Sequence, residues 1–230
     1  MNPTRMSKVL ETLLPLLSAE RLERFDNVLS HRTRHITVVL ENVFQSRNAS
    51  AVMRSCDGFG IQDVHLIENI NPWMANRSVS KGTPTWLTLH RYRAAHDPID
   101  ACVQRLRQGG YQIAVTTPHV NGHFVEDLPI DRPIALVMGT EWKGVSERMR
   151  EAADHHVMIP MRGFAESLNI SVAAAVALHE LTRRMQQELA RAVWTLSETE
   201  RLSLREEWAV KSVRKGEAIL RQAGVDWPKK

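Results

Sequence analysis

The 230-residue chain is short of most things that would build an unusual scaffold. Its two cysteines, Cys56 and Cys102, cannot make a disulfide framework or a multi-cysteine zinc site. Aromatic residues are only 6% of the chain, too few for a broad surface of rings that stacks single-stranded nucleic acid. The longest uninterrupted apolar run is Val172–Leu178, far short of a membrane span. The N-terminal stretch carries Glu11 and Pro15 where a signal peptide needs apolar residues. No G-x-G-x-x-G follows a candidate strand, and P-loop, H-E-x-x-H and G-x-S-x-G are all missing. These absences argue against dinucleotide-fingerprint oxidoreductases, P-loop NTPases, zincins and serine hydrolases of the nucleophile-elbow type. They leave the expectation of a soluble protein in a reducing, cytoplasmic setting, without a membrane or a metal.

What is present is ordinary globular material, 43% hydrophobic and 24% charged, enough to build a full core. The formal charge of +4 is unevenly spread. Residues 1–35 carry net +2, residues 36–182 net −2 and residues 183–230 net +4. A polyanion would be drawn to the two flanks while chemistry proceeds between them; solvated helix faces would look the same.

Hydrophobic periodicity predicts two short helices over 4–17 and 19–31, where Leu22, Phe25 and Leu29 recur at helical spacing. Short apolar runs then alternate with helical stretches. Strands are expected at 36–40, 64–67, 86–90, 111–116, 134–138 and 156–160. Helices are expected at 48–60, 98–108, 146–153 and from Ser167 to about Leu189. Residues 69–85 read as a long polar connection. This alternation describes an α/β fold, a mostly parallel sheet with helices on both faces, spanning 36–185. A helical extension (1–35) precedes it and a basic helical extension (186–230) follows. In the latter, Ser197 and Glu200 form a capping box before a helix running toward Gly224, with Leu204, Trp208 and Lys211 along one side.

Several groups have plain readings. His31 and His35 sit four apart without an evident carboxylate partner, which suits surface or nucleic-acid contacts better than zinc. His155 and His156 point to opposite faces of a strand. Met138, Met149, Met158 and Met161 serve as core filler. Three segments ask for more. Asn48 and Arg54 are six residues apart, roughly 120° around a helix. Arg54 stands among Ala51, Val52, Met53 and Cys56, where a charge needs a ligand or an ion pair with Glu41 or Glu141. Gly139-Thr-Glu-Trp-Lys-Gly-Val-Ser146 leaves a buried strand for a helix, the place where open α/β sheets bind ligands. Ser146 would cap that helix, which leaves Glu141 as an unexplained acid. Ile159-Pro-Met-Arg-Gly-Phe-Ala-Glu-Ser-Leu-Asn-Ile-Ser171 repeats the pattern, a glycine-containing strand exit before a helix start rich in Ser and Asn, with Ser167 as its expected cap.

Together the three segments resemble the SpoU branch of the SPOUT ribose 2′-O-methyltransferases. In that family N-x5-R, G-x-E-x-x-G-x-S and I-P-M-x-G-x-x-x-S-L-N-x-S occur in this order. The short helical N-terminus and basic tail are most similar to the TrmH-type members, which methylate guanosine-18 of tRNA; other tRNA positions and ribosomal RNA are the alternatives within the family. A catalytically silent RNA-binding or assembly factor with the same fold is the alternative of another class, against which intact Arg54, Glu141 and Asn169 speak. Arg47 stands where such chains commonly carry His, and Trp142-Lys143 departs from the usual Lys-x. The resemblance implies S-adenosyl-L-methionine (AdoMet) as methyl donor, a C-terminal trefoil knot and a homodimer. Periodicity alone leads to an unknotted doubly wound sheet. The resemblance also implies catalytic roles for Arg54, Glu141, Ser167 and Asn169, and cofactor contacts from Thr116, Gly139, Ile159 and Leu168. RNA contacts would come from Arg47, Asn48 and Arg183. Phosphates would meet Arg5, Arg21, Arg24, Arg32 and Arg34 in one flank, and Arg184, Arg191, Arg214 and Lys215 in the other.

Overall fold

The computed structural model describes residues 7–43, 45–68, 82–93, 97–117, 122–140 and 144–228. The chain divides into two compact units, one made of Thr33–Thr195 and the other of the two ends, Met1–Arg32 with Leu196–Lys230.

In the larger unit the elements run β1 (Ile36–Glu41), α3 (Ser46–Gly58), β2 (Asp63–Glu68), β3 (Thr88–Arg93), α4 (Pro98–Gln108), β4 (Gln112–Thr116), β5 (His123–Phe124), β6 (Ile134–Met138), α5 (Glu147–Glu151), β7 (His155–Met158), α6 (Ile170–Glu188) and α7 (Arg191–Trp194). Among the described residues the strands form one seven-stranded sheet in the order β3-β2-β1-β6-β4-β7-β5. Every neighbouring pair is parallel. β1, β2 and β6 are buried along their whole lengths, as a sheet covered on both faces requires. Alternate residues sort the core into two layers. Ile36, Val38 and Leu40 face Val52 and Met53 of α3 and Ala174, Ala177 and Leu178 of α6. Val39, Val137 and Val115 face Cys102 and Leu106 of α4 and Met149 of α5.

Helix starts follow local chemistry. Asp97 Oδ1 accepts the N–H groups of Ile99 and Asp100, with Pro98 in the first turn of α4. Ser146 Oγ accepts Met149 N–H and begins α5. α6 begins at Ile170 and not at Ser167, because Asn169 takes the cap: its Oδ1 accepts from Ser171 N–H at 2.9 Å. The two-residue β5 carries no periodic signal to read, and Met158 and Met161 are only half-buried, whereas Met138 and Met149 are in the core.

The smaller unit comprises α1 (Lys8–Leu13), α2 (Ala19–Leu29), α8 (Glu198–Ser212) and α9 (Gly216–Gln222). Val9, Leu10 and Leu13 of α1 pack with Ala209 and Val210 of α8 and Leu220 of α9. The tail helix expected from Ser197 to Gly224 is interrupted after Ser212, where Lys215 adopts φ 61°. The capping box at Ser197–Glu200 is formed. One expectation for a phosphate-binding arginine is overturned, that for Arg32, and Arg34 is engaged by an acid while partly exposed. Arg32 is 1% exposed, with its guanidinium 5.5 Å over the Trp208 ring. Arg34 Nε donates to Asp63 Oδ2 at 2.6 Å. Arg5 lies outside the described residues.

A buried polar column lies on the β2–β3 surface. His65 stacks on His90 with ring centroids 4.5 Å apart, and its Nδ1 lies 2.8 Å from Tyr92 Oη. His90 Nε2 lies 3.0 Å from Asp63 Oδ1. Burial, and then the neighbouring His90, lower the His65 pKa from 6.5 to about 3. Below pH 6.5 the unfolded chain therefore binds a proton that the native chain refuses, and stability is lost as pH falls from 6.5 toward 3. At pH 5 this linkage costs about 2 kcal/mol. Urea unfolding at pH 7 and pH 5 should show a larger loss for the natural chain than for His65→Asn; equal losses would remove His65 as the cause.

Candidate active site

In a parallel sheet every strand ends on the same side, so consecutive exits in the strand order place their loops side by side. β1, β6, β4 and β7 are consecutive. The register pairs Leu40 with Met138, Val115 with Val137 and Thr116 with Val157. The strands therefore end near Glu41, Gly139, Thr117 and Met158, along one edge. Thr116 Oγ1 donates to Val137 O at 3.0 Å, fastening β4 to β6 at that edge. Segments 139–146 and 159–171 are thus brought to neighbouring exits, with β1 delivering the chain into α3.

The turn after β6 folds back on itself. Thr140 N–H donates to Gly144 O and Gly144 N–H to Thr140 O, each at 2.9 Å. A Cβ on Gly139 would lie 2.1 Å from the Gly144 carbonyl carbon, so only glycine fits there. Gly144 supplies φ 63° to close the turn. Glu141, Trp142 and Lys143 lie outside the described residues.

Glu41 is a participant that the sequence reading weighed only as an ion-pair partner. It is 2% exposed, and its Oε2 accepts Ser146 N–H at 2.9 Å, so the end of β1 is clasped to the start of α5. Its other oxygen, Oε1, is buried with no hydrogen bond among the described residues. An acid that closes a wholly buried strand was the signal available in the sequence.

The remaining candidates take these positions. Arg54 is exposed on α3 and pairs with none of the described residues, so it is not a buried charge in need of rescue. It lies eight residues into the helix, about 12 Å along the axis from Ser46. No hydrogen bond among the described residues ties it to the turns at 139–146 or 159–169. Arg47 is exposed in the first turn of α3, and Asn48 Nδ2 approaches Gln45 Oε1 at 3.4 Å. Ile159 and Leu168 are half-buried and Ser167 is exposed. Asn169 Oδ1 also accepts from Ser171 Oγ at 2.7 Å, so its amide is oriented by the helix it caps. Arg183 is exposed on α6 and forms a two-bond pair with Glu180. The cysteines take no part: both are buried, and burial above all pushes the Cys102 thiol up to about 12. Among the described residues no cluster of three or more metal-ligating side chains occurs.

Comparison with known proteins agrees with this geometry. Residues 35–179 match the SpoU rRNA methylase family. A tRNA (guanosine(18)-2′-O)-methyltransferase of Borreliella burgdorferi is 37% identical over 198 residues, 86% of this chain and 88% of that protein. The crystal structure of the A. aeolicus TrmH/SpoU tRNA-modifying enzyme superposes with a TM-score of 0.75 at 28% identity, covering 85% of this chain and 98% of that one. The SpoU methyltransferase AviRb of Streptomyces viridochromogenes, solved with AdoMet, shares the fold at a TM-score of 0.54 and 24% identity, over 70% of this chain and 61% of that one.

The Glu41 clasp can be measured alone. Glu41→Ala takes the acceptor from the part-buried Ser146 N–H and is expected to cost about 1–3 kcal/mol in urea unfolding. Glu41→Gln keeps an acceptor and removes a buried charge, so it should stay within about 1 kcal/mol of the natural chain. Equal losses in both variants would show that the charge, and not the acceptor, holds the turn.

Proposed function

We propose that this chain, which belongs to the SpoU rRNA methylase family, transfers a methyl group from AdoMet to the ribose 2′-hydroxyl of guanosine-18 in tRNA. One observation carries the proposal. A chain 37% identical to a tRNA (guanosine(18)-2′-O)-methyltransferase, over most of both lengths, delivers the family's three segments from neighbouring exits of one parallel sheet. Tight folding at Gly139 and the glycine-closed turn leave a backbone-lined strand edge that suits the cofactor. Thr116, Gly139, Ile159 and Leu168 would hold it. In this family that edge is tied into a trefoil knot, and we extend the knot to this chain.

When bound, AdoMet supplies an electrophilic methyl group on a positive sulfonium. The protein's tasks are alignment and control of charge. Few charges among the holding residues means little stabilisation of a cation before reaction. In this reading Arg54 serves as a clamp: it grips a phosphate of the RNA and stabilises negative charge growing on the ribose oxygen, while the proton leaves through that arginine–phosphate pair. Asn169, its amide fixed by Ser171, orients the hydroxyl. Ser167 supports the loop, and Glu141 steadies Arg54 or Asn169. Arg47 and Asn48 meet the RNA at the start of α3, and Arg183 joins them by exchanging Glu180 for a phosphate.

A second copy of the chain completes the enzyme in this reading. Val172 and Val176 are exposed on α6, beside an apolar groove lined by Phe59, Ile159, Pro160 and Ala175. Apolar surface of this kind is what a homodimer covers. The enzyme would work where tRNA is made and matured, in the cytoplasm.

The direct test is incubation with labelled AdoMet and unmodified tRNA or ribosomal RNA, followed by mapping of the methylated nucleotide. Label at guanosine-18 of tRNA is the expected result; label only in ribosomal RNA, or none, would overturn the assignment. Arg54→Ala should lower kcat by at least about a hundredfold while AdoMet Kd by calorimetry stays within about twofold. Near-normal turnover would remove Arg54 from the mechanism.

A further inference from the structure

Phe164 is the most exposed large apolar side chain among the described residues, at 109% of its reference exposure. It stands in the loop between β7 and α6, with Arg162 and Gly163 before it and Ser167 and Asn169 after it. Its ring touches no other ring or charged group among the described residues. A Cβ on Gly163 would meet nothing within 4 Å, so the loop tip stands in open space. A chain with so few aromatics leaves one wholly in water beside residues assigned to the ribose. The core does not require it there, and burying it would be favourable.

We infer that Phe164 is the platform on which a nucleobase of the substrate RNA stacks. The inference rests on the proposed function and deepens it. A 2′-hydroxyl is presented for in-line attack only when its nucleotide is held still, and contacts to the sugar leave rotation of the base unrestrained. Phe164 and Ser167 are three positions apart, at most about 11 Å of extended chain, so a ring there lies within one nucleotide of a ribose at Ser167 and Asn169. Proteins that hold unstacked bases do so on aromatic faces and guanidinium planes. A second copy of the chain is the less suitable occupant. Residues 162–167 are otherwise polar, charged or small, whereas the continuous apolar surface lies on Val172, Val176 and the adjoining groove.

The test uses the full chain with Phe164→Ala, Phe164→Leu and Phe164→Tyr. Three quantities are read: tRNA KM and kcat, AdoMet Kd by calorimetry, and mass by sedimentation. Stacking predicts that Ala and Leu each raise tRNA KM roughly tenfold, that Tyr restores it, and that AdoMet Kd and mass do not change. Leu performing as well as Phe would mean that apolar bulk suffices and would overturn the platform. A shifted AdoMet Kd would place the ring against the cofactor, and a changed mass would place it at a subunit seam; either overturns the inference. Failure of the proposed function is seen separately, as an inactive natural chain.

Discussion

A parallel sheet imposes one condition on this molecule: every buried strand must end at the same edge, and its last peptide groups must find partners there. β6 meets the condition with a turn closed on itself, in which Gly139 lies against Gly144 with no room for a methyl group. Glu41, at the end of the neighbouring strand, gives its carboxylate to the N–H of Ser146 and fixes where that turn ends. The two devices together fasten the edge with backbone hydrogen bonds and one buried carboxyl group. Rigidity matters because the proposed chemistry gains its rate from alignment, and a loop that wanders by an ångström loses much of that gain. The buried Oε1 of Glu41, with no hydrogen bond among the described residues, is the cost of using a carboxylate where an amide would also serve.

Arg54 obeys a different logic. Its sequence neighbours suggested a charge trapped among apolar groups, but adjacency in sequence is not adjacency on a helix. At 100° per residue, Ala49, Val52, Met53 and Cys56 form one stripe, all of it buried, and Arg54 points about 150° away from the middle of that stripe. An exposed guanidinium with no partner among the described residues needs no rescue from burial, and a phosphate is a fitting partner for it. That suits a clamp better than a buried charge would. It also means that no hydrogen bond among the described residues assembles the proposed catalytic arrangement.

The sheet was legible because its strands are buried on both faces. Ile36–Leu40, Ile134–Met138 and Val64–Ile67 are apolar runs that few other structures could accommodate. β5 was not, since two residues joined to an edge leave no period in the sequence. The site segments were legible as glycine-bearing strand exits. Their internal mechanics were not: Ser167 and Asn169 are both competent helix caps, and only backbone geometry gives the role to Asn169. Glu41 escaped notice as an anchor because its partner is a backbone N–H 105 positions away. Such contacts depend on topology, and topology is what a linear pattern encodes least well.

The basic flanks show how folding changes a charge count. Read linearly, the ends are two separate positive patches. In the folded chain both ends belong to one helical unit, built on Leu10 and Leu13 against Ala209 and Leu220. Arg32 is consumed inside that unit, stacked over Trp208, where it stabilises the unit and not an RNA. Arg205 is engaged with Asp26. Of the cations expected to meet RNA from this unit, Arg21 and Arg24 from one end of the chain and Arg214 and Lys215 from the other are exposed. Because the two ends share a core, neither set can be removed without exposing the apolar face of the other. A loss of RNA affinity on truncating the tail would therefore report unfolding of α1 as much as the loss of cations. Charge reversal at Arg214 and Lys215, which touches no core residue, separates the two effects.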